Sequence, residues 1–596
     1  MKTKARFSPP FILRFSFLLS VALSGVSGCT PSAPDVSGND DEHSSWWWPV
    51  QEAPSRLAVV PAASFGELNQ AHGLLDSEMG TGGPYHTMVQ SVAGLAAQAV
   101  NEGRFNELLW VDYGSEPGAE WYRRLTRRLE LETRQSPDVW ELVKEYHEAG
   151  VIDGYVLYRW ESTPRSVRGH GVDGDQSVNA GTMLAGLHRG ILVEEHMEER
   201  ARELGLEKLA DARDVSVEEV FEQSKENLAD RWVLLQSPCF SFARDLAIAH
   251  RMPVVFGTGE YTDSVYAWMP PGGLVIGWNN AHEDVSVIQL SRYGHTLIPS
   301  DWSGNMTALS AGATTRDSRS KFTRPAPAVP ETRATGERPR MGLFMSDGDN
   351  LQWLLNSFTH NESFWANPRR GEFPMGWGLP AADLMQTAPD VHDYLVETQS
   401  DQDTILIHMG YYYPDLLGSE LSAAERERTL RLMGRRIEAT LQESGAGMLT
   451  FLVHDLEASE AVEAYRIFAE SSPSLEAMFA IQYHPYEGGE GKVYRIETDD
   501  GREVPVVTAR YAMWADTSGR PRAGGLDELP RIVRRDIQDD KLVDGSWIIL
   551  HAWSRFESGE DAGRHMGMTP AFDLFETLRD RVDFVSLDQL LAGEDE

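Results

Sequence analysis

Two aspartates flank a glycine in MGLFMSDGDN, residues 341–350. The apolar run before them predicts a buried strand that ends in a polar loop, with Asp347 and Asp349 at its carboxyl end. Gly348 permits a sharp turn and close backbone approach. Strand-end carboxylates of a parallel sheet are where α/β enzymes place acid–base chemistry. The same residue types also build plain turns, so the motif alone leaves both readings open. Further along, Trp377, His408, Tyr411, Tyr413, His454, Asp455, Arg510, His551 and Trp553 each fall on or just after an apolar run. Such a set suits a carbohydrate cleft. Flat rings cover sugar faces, while carboxylates meet hydroxyls and move protons.

These residues need strands to carry them. From Met341 onward, apolar segments such as TILIHMG, GMLTFLV, AMFAIQY and SWIILH alternate with amphipathic helical patterns. The alternation predicts a (β/α) barrel-like domain of seven or eight strands over residues 341–596, with an open doubly wound sheet as the alternative. The amino-terminal half shows the same βαβ rhythm in LAVV, LLWVDYG, GYVLY, WVLLQS, PVVF and GLVIGW. It is expected to form a first α/β domain over residues 56–160 and a second α/β region over 161–313. Residues 314–340 are rich in Arg, Pro, Thr and Ala without periodicity and read as a linker.

The chain opens with basic residues, an apolar run and then Cys29 within VSGC. This predicts a lipoprotein signal peptide over residues 1–29, with Cys29 lipidated and the chain anchored in the bacterial cell envelope. Thr30, where an aspartate would suggest inner-membrane retention, leads to the outer membrane as the expected destination. Residues 30–55 form a Pro/Ser/Asp-rich flexible tether. Trp46, Trp47 and Trp48 at its end are expected to dock it on the first domain, with sugar stacking the alternative.

Composition narrows the partners. The chain has 596 residues and a formal net charge of −37, which disfavours nucleic acid and anionic membrane surfaces. It has 2 cysteines, so with Cys29 lipidated Cys239 stands alone, and no intramolecular disulfide or cysteine-rich metal site can form. No GxGxxG opens a helix after a strand and no GxxxxGK[ST] appears, so nucleotide binding has no motif support. No cofactor is expected and no metal is assigned.

HMGYYYP, His408 to Pro414, resembles the signature of the GxGYxYP family, named for proposed glycoside hydrolases. SDGDN with Gln352 and Trp353 is similar to the motif opening that family's carboxyl-terminal domain. SVAGLAAQAV, GYVLY, SVNAGTMLAG, GLVIGW and IPSDWSGN are similar to its amino-terminal domains. One departure stands out: the first glycine of the signature is His408. The resemblance implies a glycosidase on poly- or oligosaccharide, needing two carboxylates across the bond, ~5–5.5 Å apart for retention and ~6.5–9.5 Å for inversion. Asp347 and Asp349 are expected to face Asp455, with Glu457 as a further choice. Tyr411, Tyr413, Trp353 and Trp553 are expected to form the sugar platform, and Trp377, His408, His454, Arg510 and His551 to bind substrate. A metal-dependent deacetylase-like hydrolase, using Asp347, Asp349 and histidines such as His408 or His551, is the second reading. A carbohydrate-binding lipoprotein without catalysis is the third.

Overall fold

A computed structural model describes residues 45–64, 83–160, 174–315, 320–325, 338–346, 348–514, 519–542, 545–552 and 566–591. Cys29, most of the tether and the central stretch of the linker lie outside them, as do Asp347 and Trp553.

The described chain is a mixed α/β protein built on four sheets that follow one another in sequence. The first holds β1 (Arg56–Pro61), β2 (Glu107–Asp112) and β3 (Glu132–Gln135), all parallel. The second holds β4 (Gly154–Tyr158), β5 (Gly190–Glu194) and β6 (Glu207–Asp211). Residues 154–158, which the sequence reading joins to the first unit, therefore pair with the second. The third holds β7 (Trp232–Leu235), β8 (Val254–Val255), β9 (Leu274–Gly277) and β10 (Thr296–Ile298), again parallel.

The helix Gly83–Asn101 is buried along almost its whole length, which explains its small, apolar composition. At Gly94 a Cβ would stand 2.7 Å from the Asp245 carbonyl and from Ile248 Cβ, so only glycine lets the helix Arg244–Ala249 approach this closely.

The fourth sheet has eleven strands: β11 (Arg340–Met345), β12 (Met375–Leu379), β13 (Asp403–Ile407), β14 (Met448–Val453), β15 (Ala477–Gln482), β16 (Val493–Glu497), β17 (Glu503–Thr508), β18 (Tyr511–Met513), β19 (Ala523–Gly524), β20 (Ser546–Leu550) and β21 (Asp583–Phe584). Strands β15-β14-β13-β12-β11-β20 are consecutive neighbours and parallel. Three of the six are buried throughout and the other three at all but one residue, as strands covered on both faces must be. The pattern departs from plain βα alternation at β16, which is antiparallel to β17. The stretch Glu503–Met513 also does two jobs: its first half pairs with β15 and its second half with β20.

Trp47 and Trp48 dock the end of the tether, on partners other than those expected. Their backbone N–H groups both donate to Gln386 Oε1, at 2.9 and 3.1 Å, and Trp48 Nε1 donates to Asp383 Oδ1 at 2.7 Å. Trp232 Nε1 donates to the Trp47 carbonyl at 2.8 Å, and the Arg436 guanidinium lies 5.0 Å from the Trp47 ring centroid. These contacts of the two tryptophans are with the third sheet and the carboxyl-terminal part, while Gln51 and Glu52, just beyond them in the tether, do bond the first-domain helix Gly83–Asn101: Gln51 Nε2 donates to the Ala97 carbonyl at 3.4 Å, and the Glu52 N–H to Asn101 Oδ1 at 2.9 Å. The indoles need both apolar cover and polar acceptors, which the helix Ala381–Thr387 of the carboxyl-terminal part supplies.

Candidate active site

A cavity of about 630 Å³ lies beyond the carboxyl ends of β11–β15 and β20, closed on one side by loops that follow β9 and β10. Ser346, Asp349, His408 and His551 line it from the large sheet, and Trp278, Glu283, Asp301 and Trp302 from the third. Crevices outside strand carboxyl ends are the ordinary ligand sites of α/β sheets.

The signature segment welds the two sheets together. Tyr411 and Leu297 exchange backbone hydrogen bonds of 2.7 and 2.9 Å, extending β10 by one antiparallel bridge. Gly410 makes this approach feasible. Its φ is +77°, and a Cβ there would stand 2.5 Å from Ile298 Cδ1 and Thr296 Cγ2. Tyr411 Oη then donates to Asp349 Oδ1 at 3.0 Å, and its ring packs edge-on to Trp278 at 5.9 Å. On the other side His408 Nε2 stands 3.1 Å from Asp349 Oδ2. Gly348 has its own steric reason: a Cβ would meet the Gly378 carbonyl at 2.8 Å.

Asp301 faces different physics. The residue is only 4% exposed, its Oδ1 has no hydrogen-bond partner among the described residues, and burial pushes its carboxyl up to about 7 against an opposing Gln352 hydrogen bond. Gln352 comes from the helix that follows Asp349 (Leu351–Asn356), and its Oε1 accepts from the Trp302 N–H at 2.7 Å. Trp302, next in the chain, leaves 48% of itself exposed at the cavity. An indole left open at a cavity offers a flat apolar face with a polar edge to whatever binds there.

Several expected residues lie elsewhere. Trp377 is fully buried, its Nε1 donating to Asp403 Oδ1 at 2.9 Å, because its strand is covered on both faces. Tyr413 is fully buried against His454 and Tyr483. Two residues beyond Tyr411, it packs into the protein instead of lining the cavity. His454 and Asp455 are exposed and do not line the cavity. Asp455 Oδ1 instead caps its own turn by accepting from the Glu457 N–H at 3.0 Å, and Glu457 pairs with Lys492 at 2.6 Å. Arg510 is spent on backbone carbonyls, including that of Glu490 at 2.9 Å. Trp353 does line the cavity, but its ring sits edge-on between Phe358 and Phe364, which limits it as a stacking platform.

The sequence reading missed Trp278, Glu283, Asp301, Trp302 and Tyr486 as lining residues. The segment IPSDWSGN was visible, but only as a fragment of a resemblance. Its acid and indole follow a three-residue strand, too short to announce a site. Among the described residues no group of three or more His, Cys, Asp or Glu side chains is placed to hold a metal ion.

Comparison with known proteins follows the same division of the chain. Residues 341–592 match the GxGYxYP putative glycoside hydrolase C-terminal domain, 230–311 the GxGYxYP third domain and 152–233 the GxGYxYP_N second domain. The crystal structure of a putative hydrolase from Bacteroides thetaiotaomicron VPI-5482 superposes with a TM-score of 0.69 at 19% identity, covering 91% of this chain and 95% of that one. At that identity the likeness concerns the fold. A putative polysaccharide deacetylase from Mycobacterium smegmatis aligns with a TM-score of only 0.28 at 15% identity, over 46% of this chain and 94% of that one, and supports no argument. No curated protein matches. With its signature segment seated at the junction of the matched third and carboxyl-terminal domains, the chain belongs to the GxGYxYP family.

Proposed function

We propose that this protein is a glycoside hydrolase acting on an oligo- or polysaccharide, with Asp301 as general acid and Asp349 as the opposing carboxylate. The family assignment supports a carbohydrate substrate at the coarse level. The observation that carries the finer reading is the unequal environment of the two acids. Asp301 is buried and held near 7, so it keeps a proton to give to a leaving oxygen at neutral pH. Asp349 accepts from Tyr411 Oη, has His408 beside it and lines the cavity. Pairs whose environments push them apart are how one fold obtains both acid and base. Trp302 supplies the sugar-stacking face. The chain passes directly from β17, paired with β15, to β18, paired with β20, and this continuity supports reading the large sheet as a barrel-like ring around this cavity.

The test uses two leaving groups. Asp349→Asn should abolish turnover of oligosaccharides and aryl glycosides alike. Asp301→Asn should lower turnover of oligosaccharides by roughly 10²-fold or more but spare aryl glycosides, whose leaving group needs no proton. Equal loss on both substrates in the Asp301 variant would remove its acid role. Activity lost on exhaustive chelation would instead favour metal-dependent hydrolysis. The VSGC motif further supports a lipid anchor at Cys29 and an exported chain. Cys29→Ser should release the protein from membranes, and a variant retained after carbonate washing would refute the anchor.

A further inference from the structure

Asn356, Ser357 and Asn361 each line two cavities. One is the cavity that holds Asp301 and Asp349. The other, of about 700 Å³, is walled by Ser115, Glu116 and Pro117, which follow β2, and by residues 360–363. The shared residues form a common rim. Asn356 and Ser357 are exposed, so the rim faces solvent and a chain lying in one cavity can continue over it into the other.

Packing holds the second cavity in shape. Ser115 caps the helix Glu116–Arg128, its hydroxyl oxygen accepting from the Gly118 N–H at 3.2 Å. Trp121 of that helix is buried and donates through Nε1 to the Leu355 carbonyl at 2.8 Å. His360 meets the Trp121 ring edge-on at 5.4 Å and stacks on Tyr394 at 4.9 Å. The rim is tied to the exposed indole of the first cavity, because Asn356 Nδ2 donates to the Trp302 carbonyl at 3.3 Å and to the Gln352 carbonyl at 2.7 Å. A ligand therefore meets two walls already in place, which lowers the cost of ordering them.

Size and charge narrow what fits. Cavities of roughly 300–1,000 Å³ take a whole drug-sized molecule, and one sugar ring is smaller. The two cavities together offer more room than a single ring fills. Among the described residues Pro117 is the one apolar member of the second lining. Its hydroxyls and amides both donate and accept, as sugar hydroxyls do. Among the described residues neither cavity is lined by a lysine or an arginine, while Glu116, Glu283, Asp349 and Glu362 supply carboxylates. A chain carrying carboxylates or sulfates would meet like charge and find no cation to pair with.

We propose that the substrate is an uncharged glycan chain spanning both cavities, with its reacting unit beside Asp349 and further units crossing the rim at Asn356 and Asn361 toward Glu116 and Glu362. This rests on the carbohydrate reading of the first cavity. Trp302 holds a ring there by stacking. The second cavity works by hydrogen bonds, since its one ring, His360, is taken up by Tyr394 and Trp121.

The test measures binding by the whole chain of gluco-, galacto- and manno-oligosaccharides in both anomeric series, from monosaccharide to hexasaccharide. Each is set beside the same chain with its primary hydroxyls oxidised to carboxylates. Asp349→Asn replaces the wild type for any chain that is cleaved. In at least one neutral series affinity should rise by roughly tenfold or more with length. Oxidation should lower it by a similar factor at low ionic strength and by less in salt. Glu362→Trp and Glu116→Trp each place an indole in the second cavity from opposite walls. Each should remove the rise with length and leave monosaccharide binding unchanged, whereas Glu362→Gln, which keeps size and hydrogen bonding, should retain the rise. Thermal unfolding identifies the variants that keep the fold, and either indole substitution suffices for the reading. Affinity independent of length, a rise that survives the folded indole substitutions, or tighter binding of the oxidised chains overturns the proposal while the carbohydrate site stands. If neither neutral nor oxidised chains bind at millimolar concentration, the carbohydrate reading falls, and this inference with it.

Discussion

The ends of β11 and β14 belong to one sheet, and each carries an aspartate just past an apolar strand. At β11, Asp349 is met by Tyr411 Oη and by His408, and it lines the cavity with its side chain 14% exposed. At β14, Asp455 stands exposed and closes its own turn through the Glu457 N–H. The two look alike along the chain. They differ because Asp349 stands in the cavity wall and meets Tyr411, which bridges to the third sheet, whereas Asp455 lies outside the lining although Thr450, Phe451 and Leu452 of its strand belong to it. A strand-end carboxylate becomes chemistry only where a second wall desolvates it and supplies partners.

Replacing each acid gives the sharpest contrast. Asp349→Asn should lower turnover by about three orders of magnitude with little change in Tm, while Asp455→Asn should stay within about twofold. Comparable losses in both would break the comparison.

The next largest effect concerns Asp301, on the covering wall. Oligosaccharide turnover by Asp301→Asn should fall by roughly 10²-fold or more, and the alkaline limb near pH 7 should vanish from its rate profile. Stability should move the other way. The folded carboxyl binds its proton more tightly than the unfolded one, so its contribution is most favourable at low pH. That contribution declines as pH rises from the ordinary carboxylate range through about 7. Asn removes this decline. The variant should therefore unfold at higher temperature than wild type at pH 8 and show no such gain at pH 4. Parallel stability curves across that window would place Asp301 in a wetter setting than its burial implies.

Tryptophans sharpen the same contrast. Trp302→Ala should weaken saccharide binding by roughly tenfold with Tm nearly unchanged, since its ring is half exposed. Trp377→Phe should leave binding alone and lower stability, because it strands the buried Asp403 acceptor. The smallest difference lies between two glycines of left-handed backbone. Gly410→Ala should cost about 1–3 kcal/mol, combining strained φ with a collision against β10. Gly501→Ala, with φ +84° and open space around it, should cost less, about 1–2 kcal/mol from the left-handed backbone alone. Equal costs would mean that the junction yields easily to a methyl group.

Much was legible in the sequence because it depends on local pattern. Apolar runs of five or six residues between amphipathic helices announced parallel strands, and SDGDN announced a polar strand end. The signature HMGYYYP marked the family, and His408 marked the departure from it. Which strand-end residues share a cavity was not legible, because sheet-to-sheet contact is a long-range fact. Trp377 and Tyr413 are apolar enough to be buried or to line a cavity, and only packing assigns them to the core. Asp301 and Trp302 sit nearly fifty residues before Asp349 in the chain, beyond a linker, yet they form the opposite wall. Periodicity reports which face of an element is apolar. The desolvation that sets Asp301 near 7, and the donor that reaches Asp349 from Tyr411, arise only when two separately patterned sheets meet.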